Sequence, residues 1–363
     1  MKYYRLAELC REIVDCPHST PEWKTEGIRV VRNFNLKDGN LDFTDGYFVD
    51  EETYKSRTRR AVPEPGDIII SREAPMGAVG IVPEGLKCCL GQRLVLLKVN
   101  REKCNPSYLL FSLMSEFVQI QMKRAGGTGS IVSNLCIPDL KDLLIPVMEK
   151  GQDEAARLLE AMNQKYMLHA RISRHLYDMA YTIYMHLFFG KTPNGKVGDI
   201  LVENPKSVIR VGEAKEAEGT YPFFTSGDAI LRWSEPLVDG RNCFLNTGGN
   251  GDIKFYVGGA AYSTDTWCIT GKDNLSDYLY LFLESIRPEL DKKFFQGTGL
   301  KHLQKPLLRE RPVYIPKEGE LKAFNLRVQP CLDMISHKAR ASAGLVSLRD
   351  WLLPVLMNGQ VRG

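Results

Sequence analysis

The stretch from Gly151 to Phe189 contains no proline and no glycine after its first residue, and it constrains the fold more than any other segment. Apolar side chains recur at Leu158, Leu159, Met162, Tyr166, Ile172, Leu176, Ala180, Ile183 and Leu187, mostly three or four positions apart. That spacing places them on one helical face. As a single helix the stretch would reach about 58 Å at about 1.5 Å per residue. Such a helix is longer than ordinary globular ones and too polar to span a membrane. Gly190 and Pro193 supply its stop signal. Lys165, His169 and His175 interrupt the apolar seam, so a regular coiled coil is not required. One apolar stripe of this length needs a partner to cover it.

The rest of the chain supplies one. Tyr108 and Tyr278 stand 170 positions apart, as do Thr128 and Thr298 within two Gly-Thr-Gly turns, and Ile145-Pro146 and Ile315-Pro316. Gly190 and Gly359 differ by 169. Several landmarks at nearly one offset indicate a duplicated architecture. The early parts of the two halves do not keep the offset and must differ by insertions or divergence. The second copy places a long helix at Gly319 to Asn358, with Leu321, Phe324, Val328, Leu332, Ile335, Ala339, Leu345, Leu348, Leu352 and Leu356 as its apolar set. Pro330 and Pro354 are expected to interrupt or kink it. The expected fold is α+β. Two similar mixed α/β domains, 1–147 and 190–316, are separated by a long, coiled-coil-like antiparallel helix pair, 148–189 and 317–363, with pseudo-two-fold symmetry. Pairing over ~30 residues would make a spacer of about 45 Å.

Within the first domain, Arg5–Val14 suggests a short helix ended by Pro17. Strands are expected at Gly27–Arg32, Ile68–Ile70, Ala78–Val82 and Leu94–Val99, with turns at Lys37–Asn40, Pro65-Gly66-Asp67 and Ala74–Gly77. Pro106 opens a helix over Ser107–Arg124. In the second domain, strands are expected around Tyr221–Gly227, Cys243–Asn246 and Asp252–Val257, and Tyr278 opens a helix.

Composition excludes several classes. With 44% hydrophobic and 25% charged residues among 363, the chain reads as soluble and globular. Its 48 basic and 44 acidic residues leave only +4, which permits nucleic-acid binding through local patches without requiring it. Nine cysteines, odd in number and without metal-ligand spacing, fit free thiols in a reducing cytosol. No signal peptide or long apolar run occurs, so a cytoplasmic location is expected.

No catalytic constellation emerges. Asn105-Pro106-Ser107-Tyr108 resembles the Asn-Pro-Pro-Tyr element of amino-methyltransferases, but it lacks the second proline and an upstream glycine-rich turn, and reads as a helix opener. Gly190-Lys191-Thr192 has Met185 where a phosphate-binding loop needs its first glycine. Pro138-Asp139-Leu140-Lys141 lacks a second carboxylate partner, the six histidines show no ligand spacing, and Ser226 lies outside a nucleophile elbow. No catalytic residue, cofactor or metal is expected, and a binding protein is favoured over an enzyme.

The loops suggest what is bound. Arg57, Arg59 and Arg60 join Lys55 in a basic run, while Arg32, Ser71-Arg72, Gln92-Arg93 and Arg124 sit at strand or helix ends. In the second half Thr225, Ser226, Arg232, Asn246, Thr247, Asn250, Lys254, Gln296 and Lys301 take similar places. Arginine and glutamine have the donor geometry for base edges and phosphates. The turns carrying Gly127, Thr128 and Ser130, and Thr298, let backbone amides approach an anion.

Pro65-Gly-Asp-Ile-Ile-Ile-Ser-Arg72, Met76-Gly-Ala-Val-Gly-Ile-Val82, Gln92-Arg-Leu-Val, Asn105-Pro-Ser-Tyr-Leu109, Gly127-Thr-Gly-Ser-Ile131 and Leu140–Pro146 follow one another before the long helix. Tyr221–Gly227, Asp265-Thr-Trp267, Gly297-Thr-Gly299 and Leu348–Pro354 follow in the second half. In this order, over essentially the whole chain, the sequence resembles the specificity (S) subunits of type I restriction-modification systems. The resemblance implies two target recognition domains, each reading half of a bipartite double-stranded DNA sequence. It also implies helices that set the gap between half-sites and dock modification (methyltransferase) subunits, two per chain. Those partners would carry S-adenosylmethionine, and a restriction (motor-nuclease) subunit would cut. Two features depart from the family pattern: Pro330 in the second helix, and Glu235-Pro236-Leu237-Val238 where a Pro-Gly-Asp turn is expected. The alternatives are a DNA adenine methyltransferase using Asn105–Tyr108, and a helical adaptor that binds protein.

Overall fold

A computed structural model describes residues 1–43, 46–126, 134–297, 299 and 301–357. It divides the chain into two compact units, Met1–Met167 with Ala343–Gly363, and Leu168–Ser342. Helix and strand are mixed in both.

The first unit is built on a four-stranded antiparallel sheet in the order Cys10–Asp15, Leu94–Val99, Ile68–Ser71, Val79–Ile81. Its central strands are continuous apolar runs because both faces are covered; Ile68, Ile69, Ile70, Leu94, Val95, Leu96 and Leu97 are all fully buried. Arg5–Val14 is therefore not one helix. Only Leu6–Leu9 is helical, and Cys10–Asp15 is a strand because its alternate side chains can cover the apolar edge of Leu94–Val99. A second sheet runs Phe48–Val49, Ile28–Val31, Cys88–Leu90, its first pair antiparallel and its second parallel. Strand Lys2–Arg5 pairs with Leu144–Val147. The expected helix over Ser107–Arg124 is two helices, Pro106–Met114 and Glu116–Ala125, parted at Ser115, whose backbone is extended.

In the second unit the four-stranded order is Leu201–Glu203, Thr266–Gly271, Arg241–Asn246, Ile253–Val257, again antiparallel throughout. The three-stranded sheet is Ile230–Trp233, Tyr221–Phe224, Ala261–Tyr262, with one antiparallel and one parallel pair. Gly195–Lys196 pairs with Pro312–Val313. Apart from the pair Leu36–Lys37 with Asn40–Leu41 in the first unit and the pair Phe295–Gln296 with His302–Leu303 in the second, this is the connectivity of the first unit in chain order. The helix Glu51–Arg57 of the first unit has no counterpart between Trp233 and Arg241, which is where part of the lost offset lies. The turn before the third strand is Asp239-Gly240, not Glu235–Val238. Gly240 has φ 88° and Gly66 in the first unit has φ 86°, values a side chain would resist. Arg241 then clamps the unit: its Nε donates to buried Asp277 at 2.8 Å and its Nη1 to Asp333 at 2.5 Å.

The central helix spans Gln152–Phe188 and the C-terminal helix Glu318–Met357, each contributing residues to both units. Pro330 and Pro354 do not break the second, which is helical throughout. Pro330 is exposed, and the packing of Phe324, Val328, Cys331 and Leu332 around it outweighs one missing backbone bond. In the first unit Ala155, Ala156 and Leu159 share a core with Leu353 and Leu356. In the second, His169 Nδ1 lies 3.1 Å from Ser342 Oγ and the rings of Phe188 and Phe324 meet at 5.2 Å, so the two segments run in opposite directions there. The buried face is partly displaced from the expected stripe. Tyr184 and Phe188 are buried, whereas Leu158 and Leu348 are exposed.

Candidate nucleic-acid interface

In the first unit one shallow depression is lined by Thr20, Pro21, Trp23, Arg32, Asn33, Gln92 and Arg93, so three of the candidate residues come together. Arg32 ends strand Ile28–Val31, and its guanidinium sits among three rings: Tyr47 at 4.6 Å, Phe34 at 4.9 Å and Trp23 at 5.5 Å. Stacked in this way it braces the Asn33–Phe34 turn more than it reaches outward. Trp23 and Asn33 were not expected; an asparagine beside aromatic residues is the only sequence signal for them. The Asn33 amide nitrogen donates to Ala74 O, and that of Gln92 to His18 O. Arg93 is half exposed, with Nε 3.2 Å from Glu73 Oε2.

Other first-unit candidates are held inside. Arg57 is buried, and its guanidinium donates to the carbonyls of Leu90, Ser19 and Pro17. Ser71 is fully buried and donates to Glu73 O at 2.7 Å. Arg72 donates to Leu135 O at 2.9 Å and pairs with Asp15 at 3.2 Å. These three are not brought to the depression's surface; each is held by backbone carbonyls, and Arg72 also by half-buried Asp15. Arg59, Arg60 and Arg124 are exposed. Gly127, Thr128 and Ser130 lie outside the described residues, as does Thr298 in the second unit.

In the second unit Thr225, Ser226, Thr247 and Lys254 converge. Ser226 Oγ and Thr247 Oγ1 both donate to Asp265 O, the latter at 2.8 Å. Lys254 Nζ donates to Thr225 O at 3.0 Å and Gly227 O at 2.7 Å, which fixes the Thr225–Gly227 turn. Thr225 itself is buried, bonded to Ala229 O at 3.0 Å. Asn246 is buried at the adjoining strand end; its amide nitrogen holds Asn250 O at 3.2 Å, and its Oδ1 has no partner among the described residues. Next to this turn a depression is lined by Glu203, Lys206, Thr247, Asp265 and Lys305. Burial raises the Glu203 pKa, but Lys305 and Arg309 outweigh it and hold the carboxylate below its ordinary value. Asn250, Gln296 and Lys301 are exposed and Arg232 is half exposed. Lys301 stands 3.8 Å from Asp291.

Asn105 Oδ1 caps its helix by accepting from the amides of Ser107 and Tyr108, and its nitrogen donates to Asp153, so the expected helix opener is what forms. All nine cysteines are free, and burial pushes those at Cys88 and Cys104 up to about 12. Among the described residues no group of histidine, cysteine or carboxylate side chains has metal-binding geometry, and no helix is long and apolar enough to cross a membrane.

No family model matches the chain. Among solved structures, it is similar to the S subunit of a type I restriction-modification system from M. genitalium, with a TM-score of 0.59 and 14% identity over 97% of this chain and 94% of that one. That likeness concerns the fold. A closer relation in sequence is to the MjaX type I restriction enzyme specificity subunit of Methanocaldococcus jannaschii, 30% identical over 386 aligned positions that cover 93% of this chain and 88% of that protein. At that identity and span, the chain belongs to the family of type I restriction enzyme specificity subunits.

Proposed function

We propose that this chain is the non-catalytic DNA-reading subunit of a type I restriction-modification complex. Each unit reads one half of a bipartite target, and the chain supplies neither cofactor nor nuclease. The observation that carries this reading is the repetition of one sheet topology in both units, each bearing a polar loop cluster: Arg32, Asn33, Gln92 and Arg93 in the first, Ser226, Thr247 and Lys254 in the second. A duplicated reader suits a split target. Phosphate contacts come from exposed cations such as Arg59, Arg60, Arg124 and Lys301, and base contacts from the loop amides, hydroxyls and arginines.

The two long helices serve as the ruler between half-sites, and their exposed apolar residues, Leu158, Leu168 and Met179 on one and Leu326, Met334 and Trp351 on the other, favour docking of methyltransferase subunits. Domain limits of 1–147 and 190–316 with helices 148–189 and 317–363 follow from that division of labour. A net charge of only +4 leaves much of the phosphate affinity to those partners, so binding is weak for the chain alone and tight and salt-sensitive in the complex.

Selection from a random duplex library with the assembled complex tests the reading. Two short half-sites at a fixed gap are expected; an unselective pool would refute it, as would efficient methyl transfer by this chain alone. Inserting about one helical turn, about 5.4 Å, into both helices lengthens the gap and leaves the half-sites unchanged. A changed half-site with the same gap would remove the ruler.

A further inference from the structure

Several cations near the first unit's loops differ in physical state. Arg57 and Arg72 are spent on carbonyls and Asp15. Lys55, Arg59 and Arg60 are exposed and have no ion pair among the described residues, which suits contact with a phosphate of any sequence. Arg93 is neither. Its backbone is left-handed, with φ 67°, a conformation non-glycine residues seldom adopt. Two bonds hold it there: its carbonyl accepts the Arg72 amide at 2.8 Å, and the next amide, of Leu94, meets buried Cys16 Sγ at 3.3 Å. Strain held in place this way accompanies sites where a side chain must be presented in one direction.

The side chain is 54% exposed, and Glu73, at 3.2 Å from Nε, is its one side-chain partner among the described residues. A guanidinium steered through Nε keeps its Nη donors available as a planar fork. Asn33 and Gln92 line the same depression with their amide nitrogens tied down, and their amide oxygens have no partner among the described residues. A fixed donor fork beside fixed acceptors is the chemistry of base-edge reading.

Resting on the DNA-reading function proposed above, we infer that Arg93 is a specificity-determining residue that reads guanine, its fork donating to O6 and N7, with Glu73 as its positioning residue. A bidentate contact of this kind gives about 5- to 150-fold preference over the other bases.

Selection from a random duplex library with the assembled complex is repeated for R93A, R93K, E73Q and the double variant R59A/R60A. In wild type a guanine stands at one position of one half-site. R93A loses the preference there by about 5- to 150-fold and leaves every other position and the gap unchanged. R93K, with a point charge in place of a fork, keeps less than half of the preference in log units, and E73Q weakens the same position alone. R59A/R60A lowers affinity without altering the motif. An R93A motif identical to wild type overturns the inference, as does a uniform loss of affinity, which would make Arg93 a phosphate contact. If R93A fails to assemble, the R93K motif decides in the same way. A wild-type complex that selects no motif overturns the DNA-reading function itself.

Discussion

Replacing Arg57 separates a structural from a DNA-contacting arginine. Its Nε and Nη2 donate to Leu90 O at 3.0 and 2.8 Å in a buried setting, Nη1 donates to Ser19 O at 3.0 Å, and Nη2 reaches Pro17 O at 3.4 Å. The two bonds to Leu90 share one acceptor, so they count as about 2 kcal/mol together, and the Ser19 bond adds about 1.5 kcal/mol. The Pro17 contact is long and adds little. R57A should therefore cost about 3–4 kcal/mol, which for a unit of this size lowers Tm by about 6–15 °C. Scanning calorimetry of the full chain reads this as a shift of one transition, since only the first unit holds Arg57. Arg57→Lys recovers at most about half, because one ammonium cannot span carbonyls on two separate segments. Assembled with its partners below the melting range, R57A should select the wild-type DNA motif. A Tm within about 1 °C of wild type, together with lost DNA affinity, would refute the argument and return Arg57 to the interface.

P330A should raise the urea midpoint. Pro330 already sits in an unbroken helix, so alanine restores a backbone bond worth up to about 3 kcal/mol, and a lowered midpoint would mean the proline is required by its surroundings. Glu320 is held at a pKa of about 2 by hydrogen bonds from Lys191, Tyr314 and the Lys317 amide. A depressed carboxylate binds fewer protons folded than unfolded, so its contribution is complete above about pH 4.5 and fades as pH falls toward 2. The stability difference between wild type and E320Q, read from urea midpoints, should be constant from pH 5 to 7 and shrink below about 4.5; a difference growing in acid would reverse the sign. R59A and R60A should each reduce the salt slope of binding by about 1 without changing the motif, and an altered motif would make them base readers.

Much of the architecture was legible because its signals are local. The long helix from Gly151 to Phe189 follows from periodicity within one segment, and Gln152–Phe188 is what forms. Buried strands such as Ile68–Ser71 and Leu94–Val99 announce themselves as apolar runs, and Asn105-Pro106 as a helix opener. A comparison of spacings suggested a repeat, and the four-stranded and three-stranded sheets of the two units have like strand orders.

The candidate site was much less legible, because a polar side chain's role depends on what meets it from far along the chain. Arg57, Arg59 and Arg60 look alike in a basic run, yet the first is buried against Leu90 and Ser19 while the others face solvent. Ser71 and Arg72 read as a strand end open to ligand; tertiary structure closes them over Glu73, Asp15 and Leu135. Nothing local in the sequence marks Trp23 and Phe34 as the rings among which Arg32 settles. Likewise Cys10–Asp15 became a strand because Leu94–Val99 offered it an edge, and Pro330 stayed helical because neighbouring side chains held the helix. The sequence by itself determined the extent of the two long helices and the central apolar strands, since backbone periodicity is written residue by residue. Only the tertiary structure decided which arginines remain free to meet a ligand, since satisfying buried carbonyls and carboxylates is a contest among residues distant in sequence.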